Sequence, residues 1–317
     1  MSSSEPGPTD WGAFWVRERY GVRPDDAADV LSAISRLAVL SASTSYVWRG
    51  VEDARFSVQP SVFRVPEVEG LADVTEASVV GYERSLLAKA RAWGVGHGAE
   101  TFPTYLSALA TIQHHAGNNP AIGTRLLDVS TEPLTALWFA SKSVKLPGHR
   151  EPDGVVFAFR WGRLPTFGTH SDQRGTSDPV SGLDGGMDPL FVTAQGGPFV
   201  VRPDFPSSRM VAQNSLFLAS RVPESQRRRG LREIGIDGLD LGTKSSVKPL
   251  TQGHHDYLSG RTQQSQGKPQ QPTFVAIVVP GDSKERLREA LATTYGRSEQ
   301  TIYPDVQGFV DSWESRA

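Results

Sequence analysis

The segment from Gln113 to Ala140 reads QHHAGNNPAIGTRLLDVSTEPLTALWFA. It packs Gln113, His114, His115, Thr124, Arg125, Asp128, Ser130 and Thr131 between two apolar stretches. An ionised group in apolar surroundings has to be paired or face a ligand, because leaving it bare is costly. Arg125 and Asp128 are three residues apart, so on a strand they point to opposite faces and need not pair with each other. Upstream, Arg49 sits in YVWRG between Trp48 and Gly50. An Arg there offers a planar fork to a phosphate or carboxylate. The following Gly allows close approach to the backbone. Taken singly, these residues also have plainer readings. Arg125 and Asp128 would tie loops together, His114 would end a helix, and Arg49 would be a surface residue of an edge strand.

Other chemistries fit less well. His114, His115 and Asp128 are potential metal ligands, but adjacent histidines on a helix point about 100° apart, so no metal site is expected. The sequence has no GxSxG for a serine hydrolase and no GxxxxGK[ST] for a P-loop enzyme. It has no Cys, which removes disulfides, thiolate metal sites and cysteine nucleophiles together. The 33 basic and 35 acidic residues leave a net charge of −2, so no global footprint for nucleic acid exists. Arg227, Arg228 and Arg229, with Arg221 and Arg232 nearby, form the one basic cluster. It reads as a solvated helix face or as a local docking strip.

These residues need elements to hold them. The 317 residues are 38% apolar and 21% charged, with 31 Gly and 22 Pro, a globular and loop-rich composition. The start, MSSSEPGPTDWG, lacks a signal-peptide pattern, and no run of 18 apolar residues occurs, so a cytoplasmic protein without membrane contact is expected. Residues 1–24 read as an N-terminal tail and 25–317 as one domain. Apolar spacing predicts helices over 25–39, 73–93 and 102–115, and from Pro133 onward, the last capped by Thr131. Strands are expected over Ser43–Val51, Arg125–Val129, 154–162 and 273–280. Residues 209–222 read as one or two strands and TIYP as a last one. Residues 56–64 read as a loop or edge strand, and a helix is expected after Ser283 and another over DVQGFVDSW. Residues 163–208 and 242–272 read as long polar insertions. The fold class is α+β, with a split, mostly antiparallel sheet and flanking helices.

In order along the chain, YVWRG, SVFR (61–64), QHH…TRLLDVST.PLTALWFA, RMVAQNSLF, FVAIVVP and TIYPDVQGF resemble the bacterial FRG domain over roughly residues 40–313. The central signature of that family is similar to QHxGxPTRLLDWTxNPLxALYFA. This chain differs by an insertion before Thr124, by Val129 for Trp, Glu132 for Asn and Trp138 for Tyr, which reshape a pocket wall. The order of elements also looks like the ADP-ribosyltransferase fold. That likeness implies NAD as substrate. Arg49 would hold the diphosphate or ribose of NAD, with Trp138 and Phe139 walling the nicotinamide. Gln213 would fill the late position of that fold, and Asp128 would contact a ribose hydroxyl or the acceptor, with Glu83 a lesser acid. Trp48, Gly50, Gln113, His114, Thr124, Arg125, Ser130 and Thr131 complete the expected pocket.

The function expected is therefore a nucleotide-dependent transferase, an NAD-using ADP-ribosyltransferase of a toxin or anti-phage system. The acceptor would be a protein or nucleic acid, and an antitoxin or defence partner is expected. The alternatives are a non-catalytic nucleotide- or nucleic-acid-binding module and a metal-dependent hydrolase or nuclease.

Overall fold

Three segments rich in β-branched and aromatic residues, YVWRGV, GVVFAFR and FVAIVV, build the centre of the molecule. The computed structural model describes residues 11–40, 46–56, 58–71, 74–95, 104–116, 119, 121–144, 148–162, 164–169, 194, 198–204, 206–222, 248–262 and 271–314. The first half of the chain gives α1 (Trp11–Arg17), β1 (Gly21–Val22), α2 (Ala27–Leu40), β2 (Tyr46–Val51), a 3-10 turn (Ser61–Arg64), α3 (Pro66–Glu69), α4 (Glu76–Ala92), α5 (Tyr105–Ala116), β3 (Leu127–Ser130) and α6 (Pro133–Ala140). The second half gives β4 (Gly154–Arg160), β5 (Thr166–Gly168), β6 (Phe199–Arg202), α7 (Ser208–Ala212), β7 (Ser215–Ala219), α8 (Gln252–Leu258), β8 (Phe274–Val279), α9 (Lys284–Thr293), α10 (Glu299–Ile302) and α11 (Val306–Glu314).

The class is α+β. Eight strands form one open sheet in the order β1-β8-β4-β2-β3-β7-β6-β5. β1 runs parallel to β8 and β5 parallel to β6, while the other neighbours are antiparallel. β2 pairs with β4 along its whole length, and β3 does the same with β7. Between β2 and β3 the register holds one pair, Trp48 with Ser130. The expected split in the sheet lies there.

Side-chain alternation divides the core the same way. One face is lined by a continuous cluster that includes Val47, Val51, Val129, Phe157, Val200 and Leu218, with Trp15 of α1 buried against it. The opposite face carries two clusters. Tyr46, Trp48, Val156 and Ile277 pack beneath α2, α6 and α9. Phe199, Val201, Phe217 and Ala219 pack beneath α5. The two clusters meet where β2 and β3 part.

α6 lies on β2 and β4 through two glycine notches. A Cβ on Gly50 would sit 1.8 Å from the Ala136 carbonyl oxygen, and one on Gly154 would sit 2.0 Å from that of Ala140. Glycine is required at both positions by the approach of the helix. Glu132 caps α6, accepting from the Leu134 and Thr135 amides, with Pro133 in the first turn. Thr131, expected as that cap, is exposed. A carboxylate at this position also suits the positive end of the helix dipole.

Several boundaries differ from the sequence reading. Residues 11–22 are not tail. Trp15 is fully buried, and the two-residue β1 adds to the sheet edge through Ala276 and Ile277. Two strands, β5 and β6, lie inside the segment read as the insertion 163–208, and α8 lies inside 242–272. Residues 208–212 form a helix capped by Ser207 before β7 begins. TIYP (301–304), expected as a strand, is not one: Thr301 and Ile302 end α10, whose Ser298–Thr301 capping box overrides their β-branched composition. Arg227, Arg228 and Arg229 lie outside the described residues, as do 170–193 and 242–247. No helix among the described residues is long and apolar enough to cross a membrane.

Candidate functional site

Where β2 and β3 separate, polar side chains replace the backbone ladder. Trp48 and Gly50 face α6, so alternation turns Arg49 to the other side of β2. From there its Nη1 donates to the Asp128 main-chain oxygen at 2.7 Å, bridging the parted strands. The same nitrogen lies 4.0 Å from Asp128 Oδ2, too far for a hydrogen bond. Arg49 Nε is buried and meets no partner among the described residues.

α5 brings two residues to the Asp128 carboxylate from its last turns. Gln113 Nε2 donates to Oδ2 at 2.7 Å. His114 Nδ1 stands 3.9 Å from Oδ1, and its Nε2 is buried without a partner among the described residues. The Gln113 amide oxygen in turn accepts from Ser61 Oγ and Thr124 Oγ1, both at 2.8 Å. Ser61 Oγ also accepts from the Thr124 amide at 3.0 Å. The network fixes the amide orientation of Gln113, so its NH2 must point at Asp128.

The 3-10 turn is clamped onto this network. Val62 donates its amide to the Thr124 carbonyl at 3.1 Å, and Gly123 lies so close that a Cβ there would meet the Ser61 backbone at 2.6 Å. The last residue of the turn is Arg64. Burial holds the Arg49 guanidinium below the ordinary arginine value, offset in part by Asp128 and Glu52. Burial lowers Arg64 too, and the neighbouring Arg49 charge adds to it, with Glu52 and Asp128 opposing. Arg49, Asp128, Gln113, Thr124 and Ser61 therefore share one polar seam, with the Arg64 and Glu52 charges acting on it from nearby.

Of the residues expected in a pocket, Arg49, Gln113, His114, Thr124 and Asp128 come together. The others serve different ends. Arg125 is 1% exposed and pairs with Glu83 at 2.8 Å and Glu76 at 2.5 Å. Glu83 is 0% exposed and also accepts from Tyr105. These contacts tie α4 and α5 to the start of β3, and the two carboxylates hold the Arg125 charge firmly on. Trp48 and Trp138 are core residues, and Gly50 is covered by α6 rather than open to a ligand. Phe139 packs edge-on to Trp138 and Tyr303, with ring centroids 5.2 and 6.3 Å apart. Ser130 donates to the Gln213 carbonyl at 2.7 Å and accepts from the Glu132 amide at 3.0 Å. The Gln213 side chain donates to the Ile302 carbonyl at 3.2 Å, which anchors α10.

Sequence reasoning missed Ser61. Its signal was present in SVFR, a short motif in the right order whose hydroxyl went unassigned. Among the described residues no group of three or more His, Asp or Glu is arranged to hold a metal ion.

A comparison with family models matches residues 44–147 to the FRG domain. The match spans β2, the Ser61–Arg64 turn, α5, β3 and α6, and so contains every member of the polar seam. Gln213 lies beyond it. No curated protein and no solved structure matches the chain.

Proposed function

We propose that this chain, which carries an FRG-domain match, is a nucleotide-dependent transferase that uses NAD to ADP-ribosylate a protein or nucleic acid as a toxin or defence effector. One observation carries the reading. Arg49 and His114, which meet Asp128 through Nη1 and Nδ1, each keep a further buried nitrogen, Nε and Nε2, without a partner among the described residues. Buried polar groups are ordinarily satisfied, so unspent hydrogen-bonding capacity in such a place suits a ligand.

The residues divide the work by chemistry. Arg49 would meet the diphosphate with a charge-assisted bond. Asp128 is held in place by Gln113 and presents Oδ1, which accepts no hydrogen bond among the described residues, to a ribose hydroxyl. Cleavage of the glycosidic C–N bond of NAD builds positive charge on the ribose, and a fixed carboxylate nearby favours that charge. A step of this kind needs orientation and electrostatics more than a strong nucleophile.

A specific observation favours a second reading, a binding module without turnover. Gln213 is spent on the Ile302 carbonyl and does not face Asp128, so the late position of the transferase pattern goes unfilled by it.

The test is incubation of the purified protein with labelled NAD and cell lysate, followed by separation of protein and nucleic acid. Arg49→Ala should lower label transfer about a hundredfold or more, the usual loss when one preorganised donor is removed. The labelled fraction identifies the acceptor class. No transfer and no nicotinamide release from the wild-type protein would sink the transferase reading and leave the binding module.

A further inference from the structure

We infer that Ser61 is a positioning residue: acting through Gln113, it makes Asp128 Oδ1 a fixed acceptor, so that the site selects a ribose with its 2-hydroxyl over a 2-deoxyribose. The inference rests on the site reading above and deepens it by naming a positioning residue and the feature of the sugar that is selected.

The hydrogen bonds that end at Asp128 run in one direction. A carboxylate only accepts, so the NH2 end of the Gln113 amide faces it, at 2.7 Å from Oδ2. The amide oxygen is then left to receive hydroxyl protons, and it receives two, from Ser61 Oγ and Thr124 Oγ1, both at 2.8 Å. Each hydroxyl accepts in turn from a backbone amide. Ser61 Oγ takes the Thr124 N–H at 3.0 Å and Thr124 Oγ1 takes the Leu126 N–H at 3.1 Å. Ser61 Oγ also lies 3.4 Å from the Thr124 carbonyl, a longer contact than the one to Gln113. The amide of Gln113 is thus anchored at its oxygen to two backbone-held hydroxyls.

Asp128 is held at two points and open at a third. Its main-chain oxygen accepts from Arg49 Nη1 at 2.7 Å, and its Oδ2 accepts from Gln113. Oδ1 accepts no hydrogen bond among the described residues, and His114 Nδ1, at 3.9 Å, is beyond hydrogen-bond reach of it. The Asp128 side chain is 34% exposed, so a ligand can reach Oδ1. A carboxylate oxygen in this state reads donors and repels anions. In a ribosyl nucleotide the hydroxyl beside the C–N bond is the one on C2, and a carboxylate bonded to it also lies near the carbon on which positive charge builds. A site built to bond a hydroxyl rejects the analogue that lacks it, because its own polar group is left unpaired.

NMR titration with ribose 5-phosphate and with 2-deoxyribose 5-phosphate tests this. The wild-type protein should bind the ribose ester at least about tenfold more tightly. Its Gln113 side-chain amide protons, assigned by their loss in Gln113→Met, should exchange slowly with water. Ser61→Ala should cut the preference to about threefold or less and speed that exchange. Ser61→Thr, which keeps the hydroxyl, should restore both. Equal affinity of the wild-type protein for the two sugars overturns the inference, as does no binding of ribose 5-phosphate at millimolar concentration or a preference that survives Ser61→Ala. Should Ser61→Ala not fold, Gln113→Met carries the test, and an unchanged preference in that variant overturns the inference equally. Selectivity for the 2-hydroxyl without label transfer from NAD keeps this inference and ends the transferase reading. Transfer by a protein that binds both sugars alike does the reverse.

Discussion

At the scale of single residues, this chain distinguishes charges that are spent from charges that are available. Arg125 is paired with Glu76 and Glu83 and has a structural role. Arg209 is similarly occupied by Asp305, through Nε at 2.6 Å and Nη2 at 2.7 Å, with its guanidinium over the Tyr303 ring. The Arg209 hydrogen bonds lower the Asp305 pKa from 3.8 to about 2. A carboxylate depressed on folding contributes stability above its unfolded pKa and loses it as pH falls through the folded value. The contribution of Asp305 is thus present at neutral pH and disappears between about pH 4 and pH 2. Asp305→Asn should cost about 1.5 kcal/mol at pH 7 and flatten the acid limb of a stability–pH curve measured by denaturant unfolding. An unchanged acid limb would show that the pair contributes nothing. Arg49, with one hydrogen bond and a buried Nε to spare, and Arg64, at the end of the 3-10 turn, were only half legible in the sequence. Arg49 stands beside aromatic residues on a strand. The environment of Arg64 depends on a tertiary clamp between residues 61–64 and 123–124, which no local spacing announces.

At the scale of elements, the meaning of the Gly in the aromatic-Arg-Gly motif changes. Sequence reasoning assigns Gly50 to ligand approach, yet α6 occupies that space. The motif therefore encodes helix docking at Gly50 and site chemistry at Arg49, on opposite faces of one strand. Gly50→Ala should destabilise the protein by about 1–3 kcal/mol, the range for forced overpacking, because a backbone carbonyl cannot rotate away. Gly81 in α4 has nothing within 4 Å of an added Cβ. Gly81→Ala should instead stabilise by about 0.5–1 kcal/mol through helix propensity. Thermal melts of the two variants should move in opposite directions, and a harmless Gly50→Ala would overturn the docking account. The long strands and helices were legible because their periodicity is strong. β5, β6 and α8 were not, since three to seven ordered residues inside Gly-, Pro- and Ser-rich stretches carry too little pattern to stand out. Turn and cap chemistry decided α7 and α10 against their strand-like composition.

At the scale of the whole molecule, the chain folds as an α+β sheet whose N-terminal residues matter more than their composition suggests. Trp15 is 0% exposed and packs on Phe157 and Phe274 with ring centroids 5.7 and 5.2 Å away. Trp15→Ala should cost about 3–5 kcal/mol in denaturant unfolding. A cost under ~1 kcal/mol would return residues 11–22 to the status of a tail. The sequence hid this because one short amphipathic turn follows ten residues of tail-like composition. The single residue pair between β2 and β3 has a mechanical consequence. The sheet is two four-stranded leaves, β1-β8-β4-β2 and β3-β7-β6-β5, stitched by Trp48 with Ser130 and by the Arg49–Asp128 bond. Arg49 belongs to one leaf and Asp128 to the other, so a molecule gripped by both acts as a rivet, and the work of prying the leaves apart rises by its binding free energy.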